Sequence, residues 1–334
     1  MPSAYGSEED TMIRICGIAV AVGLMSGMLS DPATSAEQWP QRAVRLIVPF
    51  AAGSGPDFAG RLFAERLSER WKQPVVVENR PGADGLLGTA AFVNLRDDHV
   101  LMFSAAAPLS VLPVLQEKLP YDPARDVLPI SAAADTFGAV AVSASLPVHS
   151  LAELVALAGR ERGQLNYHAL AGAFPILFAG FAKDAGIEMT YVSYRETTAA
   201  VLDLSEGRIQ VMLATLPPLL PQVNSGKVRL LAVTNKSRAP IMPAVTPARD
   251  AGFPALTYES IAGFFGPRDM LAERRDRVAT DVRAIASENG VGERLAAVGQ
   301  IARGSTPIEF AAAIEEQRIQ ISSIARLVGT KPAR

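Results

Sequence analysis

Eight consecutive residues, Phe50-Ala51-Ala52-Gly53-Ser54-Gly55-Pro56-Asp57, carry the clearest chemical potential in the sequence. They stand between an apolar run and a helical pattern, so their small side chains form a turn that exposes backbone N–H groups at a helix start, where the helix dipole favours an anion. A carboxylate suits such a cradle. A dinucleotide fingerprint would need a glycine three residues after Gly55, where Phe58 stands, and a phosphate loop would need Gly-Lys-Ser/Thr, which is absent. Without a ligand, the same residues read as a Ser54 cap with Asp57 at the third helical position, holding the helix end only.

Three further small-residue turns stand out: Asn79-Arg80-Pro81-Gly82-Ala83-Asp84-Gly85 after a strand-like run, His168-Ala169-Leu170-Ala171-Gly172-Ala173-Phe174-Pro175 ahead of an apolar helix, and Tyr194-Arg195-Glu196-Thr197-Thr198 ahead of a helix at Ala199. Turn chemistry alone accounts for the first. His168 can donate to a ligand carboxylate or serve as a polar turn residue. His99, His149 and His168 have no spacing that places two metal ligands on one helix face, and Gly53-Ser54-Gly55 lacks the spacing of a nucleophile elbow. The sequence therefore implies no catalytic residue, no metal and no cofactor.

Residues Ile15 to Leu29 form an apolar run of 15, short of the roughly 20 that a membrane span needs but fitting the core of a secretory signal. Thr34-Ser35-Ala36 supplies small residues before a cleavage. The acidic Glu8-Glu9-Asp10 ahead of Arg14 contradicts a basic leader start, so translation is expected to begin at Met12. Residues 1–36 are read as a signal peptide cleaved near Ala36, with a periplasmic product. The full chain has 334 residues and a formal charge of −2; losing Arg14 with Glu8, Glu9, Asp10 and Asp31 turns −2 into +1, and the single cysteine, Cys16, leaves too. A thiol-free mature chain suits an oxidising compartment. With 49% hydrophobic residues and no basic excess, disorder and nucleic-acid binding are excluded.

The elements that must hold these turns alternate. Val44 to Phe50 reads as a buried strand, and Val75 to Glu78, Val100 to Ser104, Ala139 to Val142, Val211 to Ala214 and Leu230 to Val233 read as further strands. Between them lie helical patterns at Gly60 to Trp71, Leu151 to Arg162, Ile176 to Ala185 and Thr198 to Glu206. That alternation implies an α/β protein with mainly parallel sheets. Helices fill the carboxy-terminal part, at Leu271 to Ser287, Gly292 to Val298 and Thr306 to Val328, with Thr306 and Glu309 spaced as a capping box. At roughly 150 residues per domain the length predicts two domains, yet no low-complexity linker separates them.

Val44 to Ala52, then Val75-Val76-Val77-Glu78-Asn79-Arg80-Pro81-Gly82-Ala83, then Leu119-Pro120-Tyr121-Asp122-Pro123 and Gly226 to Thr234 closely resemble the tripartite tricarboxylate transporter receptor family, the Bug-type periplasmic solute-binding proteins. The resemblance runs from about Trp39 to the end. It implies a type II periplasmic binding fold: two α/β domains joined by crossing strands, with a ligand cleft between them. Residues 37–138 plus 259–334 would form one domain and 139–258 the other, with crossings near Gly138 to Ser143 and Leu256 to Phe264. It also implies ligand contacts from Phe50, Ala52, Gly53, Ser54 and Asp57, from Ser104 and Ala105, and from His168, Gly172, Thr197, Thr198 and Thr215. The function implied is a monomeric solute receptor, not an enzyme, that captures a small carboxylate by clamshell closure and presents it to a permease or a signalling partner. Where relatives carry a Gly-Gly run, this chain has the stiffer Gly53-Ser54-Gly55-Pro56, and where a polar loop is usual it has Ala169 to Phe174. These departures favour a ligand with one carboxylate and an apolar or aromatic body over citrate. The competing reading is an exported α/β enzyme using Asp57 and His168 on one substrate atom.

Overall fold

Pro49 sets the first boundary: lacking an N–H for the ladder, it ends β1 at Val44–Val48. The strands that follow are β2 (Val75–Asn79), β3 (Val100–Ala105), β4 (Val127–Thr136), β5 (Gly138–Ser143), β6 (Asn166–Ala169), β7 (Thr190–Tyr191), β8 (Val211–Thr215), β9 (Val228–Val233), β10 (Ser260–Pro267) and β11 (Gln300–Ala302). The helices are α1 (Gly55–Trp71), α2 (Leu86–Asn94), α3 (Ala107–Ser110), α4 (Leu112–Leu115), α5 (Leu151–Arg160), α6 (Phe174–Asp184), α7 (Thr197–Ser205), α8 (Leu216–Asn224), α9 (Ala272–Ala286), α10 (Asn289–Ala296) and α11 (Pro307–Val328). The computed structural model describes residues 39–95 and 97–329. The expected signal peptide, with its Met12 start and Ala36 cleavage, lies outside them. The chain divides into two units, Met1–Gln41 and Arg42–Arg334. Trp39 to Gln41, the described part of the first, hold no helix or strand, and every element named above belongs to the second.

Two sheets result, in the orders β11-β4-β10-β3-β1-β2 and β7-β6-β8-β5-β9. Strands β1, β2 and β3 are mutually parallel, as are β6, β7 and β8. The sheets are nevertheless mixed, where the alternating pattern predicted mainly parallel ones, because β10 runs antiparallel to β3 and β4 and β5 antiparallel to β8 and β9. The chain passes from β4 in the first sheet to β5 in the second across Phe137, and returns from β9 to β10. A strand arriving from the other sheet enters at the edge where the parallel strands end, and so must run against them.

Helix α1 shows how the first sheet is covered. It buries Leu62, Phe63, Leu67 and Trp71 along one stripe. Phe63 meets Phe264 edge-on at 5.9 Å, and Phe103 meets the same ring at 5.0 Å. Gly60 gives them room, since a Cβ there would stand 3.1 Å from Phe103, a tight contact. Burying each such aromatic contributes about 2 kcal/mol or more. The carboxy-terminal helices belong to this layer: Trp71 Nε1 and Arg70 Nε donate to the two oxygens of Asp281 on α9 at 2.7 and 2.6 Å. The capping box of α11 is present, Glu309 N–H to Thr306 Oγ1 at 3.2 Å and Thr306 N–H to Glu309 Oε2 at 2.8 Å.

The crossings are closely packed. Gly138 opens β5 with no room for a side chain; a Cβ would stand 2.5 Å from Thr234 Oγ1 and 2.7 Å from Phe174 Cε1. Thr234 N–H donates to the Gly138 carbonyl at 2.8 Å and Tyr258 N–H to the Thr234 carbonyl at 2.9 Å, so the outgoing and returning segments are bonded to each other.

Candidate functional site

The strand orders point to a candidate site. In the first sheet the chain leaves β1 toward β2 on one side and returns to β3 on the other; in the second it leaves β6 toward β7 and returns to β8. Each reversal opens a crevice at the strand carboxyl ends, where open α/β sheets bind ligands. Register puts both crevices level with the crossings: Ala105, the last residue of β3, pairs with Ala262 near the start of β10, and Thr215, the last of β8, pairs with Gly138 at the start of β5. Residues 50–54 and Ser104-Ala105 thus end the first sheet's strands, and Leu170 to Ala173 and Thr215 end the second's.

The first turn is braced from within. Ser54 caps α1, its Oγ accepting from Asp57 N–H at 3.4 Å. Asp57 is buried, 3% exposed, and its carboxylate is fully engaged: Oδ2 accepts from Gly53 N–H at 2.8 Å and from Arg61 Nε at 3.0 Å, while Oδ1 accepts from Asn79 Nδ2 at 2.8 Å. Burial alone would push this carboxyl up; the Arg61, Asn79 and Gly53 donors outweigh it and hold it below the usual range. Asn79 also donates to the Phe50 carbonyl at 3.0 Å and accepts from Arg61 at 2.7 Å. Asp57 therefore braces the turn. Sequence reasoning missed Arg61 and took the Asn79 turn as self-contained. The available signal was that Asn79 ends β2, beside the Val48 end of β1.

Within this turn the free donors differ from those expected. Gly53 N–H is used by Asp57 and Ser54 N–H by the Ala51 carbonyl at 3.2 Å. Among the described residues no partner takes the N–H groups of Ala51, Ala52 or Gly55. Gly53, at φ 80°, has open space where a side chain would be. Phe50 is half-buried and packs at Gly85, where a Cβ would meet Pro108 at 2.9 Å and Phe50 at 3.3 Å. Gly85 has φ 88°, and its neighbours Ala83 and Asp84 also carry positive φ, 46° and 55°. This is a strained turn of the kind found at binding sites.

The other expected contacts divide. Ser104 is fully buried with its hydroxyl donating to the Ala105 carbonyl at 2.8 Å, so its side chain serves the strand; Ala105 is half-buried. Gly172, at φ 94°, faces open space. Thr197 and Thr198 begin α7, which has no side-chain cap, and no described residue takes their N–H groups. Thr215 is half-buried ahead of α8.

His168 is turned away from this use. It is 5% exposed, its Nδ1 donates to the Val192 carbonyl at 3.0 Å, and its ring stacks on Tyr191 at 5.9 Å and meets Tyr194 edge-on at 5.2 Å. Burial lowers its pKa, partly opposed by the Val192 carbonyl, so it stays neutral. Nδ1 of His168 is used within the second sheet's layer and the Asp57 oxygens within the first, and no described contact joins the two side chains. His168→Phe should keep the aromatic packing and leave ligand affinity within about threefold, less than the tenfold of a 1.4 kcal/mol contact, when both proteins are titrated by calorimetry.

A two-sheet α/β chain with paired crossings and strand ends turned toward them defines a type II periplasmic binding protein. The chain belongs to the tripartite tricarboxylate transporter family receptors, whose family model matches residues 59–298. A UPF0065 protein of Bordetella bronchiseptica is 29% identical over 306 residues, 91% of each chain. Protein BugT of Bordetella pertussis is 26% identical over 324 residues, 96% of this chain and 98% of its own. Among solved structures, R. palustris Rpa4515 with adipate matches at TM-score 0.80 and 28% identity, over 88% of this chain and 99% of that one. The family consists of solute receptors, and the chain is not an enzyme.

Proposed function

We propose that the chain captures a small carboxylate at the turn Phe50 to Gly55. The observation that carries this reading is the set of three unpartnered amides, Ala51, Ala52 and Gly55, on a turn that Asp57, Asn79 and Arg61 hold rigid. Preorganised N–H donors at a helix start bind a carboxylate with little entropy cost. Thr197 and Thr198 at the uncapped start of α7, with Gly172 and Thr215, would close on the ligand from the second sheet. Residues 37–138 with 259–334 and residues 139–258 would be the two closing domains, hinged at the crossings. The product would act as a periplasmic monomer, delivering its ligand to a tripartite permease or a signalling partner.

The ligand's body is apolar in this reading. Gly172 and the exposed Ala171 offer no side-chain donor, and three amides suffice for one carboxylate, not three. Rpa4515 carries adipate, a dicarboxylate, which supports the methylene body of the ligand but not its single carboxylate. Calorimetric titration with hexanoate, benzoate, adipate and citrate tests this: citrate should bind at least about tenfold more weakly than the best of the others, a difference of about 1.4 kcal/mol. Tight citrate binding with none for the rest would overturn it. Mass spectrometry of the co-purifying small molecule should find a carboxylate.

A further inference from the structure

Gln300 lies on β11, a three-residue edge strand, yet is 1% exposed. Its Nε2 donates twice, to the carbonyl of Gly55 at 3.0 Å and to Thr136 Oγ1 at 3.1 Å. Gly55 is the first residue of α1 and one of the three free amides of the binding turn; Thr136 is the last residue of β4 before the outgoing crossing. The bonds continue through buried groups. Asn235 Nδ2 donates to the Thr136 carbonyl at 3.4 Å, Gly138 N–H donates to Asn235 Oδ1 at 3.2 Å, and Thr234 Oγ1 donates to the Tyr258 carbonyl at 2.9 Å on the return segment. One residue back, the Gly299 carbonyl accepts from Phe137 N–H at 3.5 Å, and the Phe137 carbonyl in turn accepts from Leu216 N–H, next to Thr215, at 2.8 Å.

The contact is tightly fitted. A Cβ at Gly55 would stand 3.0 Å from Gln300 Nε2, a close approach that the glycine relieves. Gln300 Oε1 is buried without a partner among the described residues. A buried unsatisfied acceptor is costly, so an apolar residue here would be favoured unless the donor end had a use.

We propose that Gln300 is a positioning residue that ties the binding turn to the hinge, so that displacement of the turn and movement of the crossings are one cooperative event. Its functional meaning rests on the proposed carboxylate capture at this turn; its physical content is the coupling itself. A ligand that pulls on the amides around Gly55 then acts directly on the first crossing, and through Asn235 and Thr234 on the second. Coupling of this kind needs a bonded element whose equilibrium both places bias, and the Gln300 amide supplies it.

The test is amide hydrogen exchange on the ligand-free full-length mature protein and two variants. Gln300→Met keeps length and burial but removes the donor; Thr136→Val removes the acceptor on the hinge side. Exchange at Gly53, Asp57 and Phe58 in the turn and at Phe137, Gly138 and Leu216 at the crossing should rise together, by about fivefold in Gln300→Met and less in Thr136→Val, the factor expected for one lost hydrogen bond. Leu154 on α5 and Val282 on α9 should be unchanged. A rise in only one of the two segments, a uniform rise at all these amides, or no change would each overturn the proposal. Because no ligand is present, a failed carboxylate titration would count against the proposed function and leave this result to be judged separately.

Discussion

Asp57→Ala should lower stability by about 3 kcal/mol, the usual cost of deleting one partner from a buried, hydrogen-bonded charge set. It should also weaken carboxylate binding by at least about a hundredfold, since a 1 Å error in positioned groups can cost that much. Three donors lose their acceptor at once: Gly53 N–H, Asn79 Nδ2 and Arg61 Nε. Arg61 is half exposed and recovers water; Gly53 and Asn79 lie inside the turn and recover less. The conservative Asp57→Asn keeps one acceptor but sets an amide against two donors, and should fall between the two. Urea unfolding with calorimetric titration checks both effects. An Asp57→Ala protein that unfolds like the parent and binds as tightly would show that the bracket does not hold the turn.

Asp135 makes the second large effect, with the opposite pH dependence. It is 5% exposed on β4; Oδ2 pairs with Arg303 Nη1 at 2.7 Å, and Oδ1 is buried without a partner among the described residues. Burial pushes its carboxyl up to about 6; Arg303 opposes that and nearby Glu259 adds to it. A folded pKa above the unfolded value means that its contribution is fully present below about 4 and is lost as the pH rises through about 6. The shift from 3.8 is a little over two units, about 3 kcal/mol. Asp135→Asn cannot ionise, so its stability relative to the parent should climb by about 3 kcal/mol between pH 4 and pH 8. Asp57, held low, acts in the other direction: its contribution is present above about 4 and is lost as the pH falls through its lowered value. Parallel stability curves for parent and Asp135→Asn across that range would contradict the assignment.

Strong local signals made much of this molecule legible before any coordinates. Runs such as Val44 to Val48, apolar except for Arg45, and Val211 to Thr215 are largely buried, as a strand in a sheet covered on both faces must be. The Thr306 capping box and the Ser54 cap were readable because both are local chemistry. Elements whose stability comes from distant partners were not. Strand β4 contains Pro129 and a run of three alanines, poor strand formers, and exists because β10 and β11 flank it. Strand β11 is three residues long within a helical region, so Gln300 gave no sequence signal.

The candidate site divides in the same way. The Phe50 to Asp57 turn was visible as a candidate anion cradle or a plain helix cap, and the Ser54 cap is present. Which of its groups faces outward was not, because that depends on Asn79 and Arg61. Those side chains take up Asp57, whose carboxylate takes the Gly53 N–H, and the amides of Ala51, Ala52 and Gly55 are left without a partner among the described residues. His168 illustrates the converse: a histidine in a turn-like string reads as a ligand contact or a polar turn residue, and only the neighbouring Tyr191, Tyr194 and Val192 reveal it as part of an aromatic layer.

The most direct measurement is the structure of the protein with its co-purifying ligand bound. The expected result places a ligand carboxylate about 3 Å from the amide nitrogens of Ala51, Ala52 and Gly55, with the Asp57, Asn79 and Arg61 bracket intact. A carboxylate held instead by His168 or by the Asp57 side chain, or a ligand with no carboxylate at all, would contradict it.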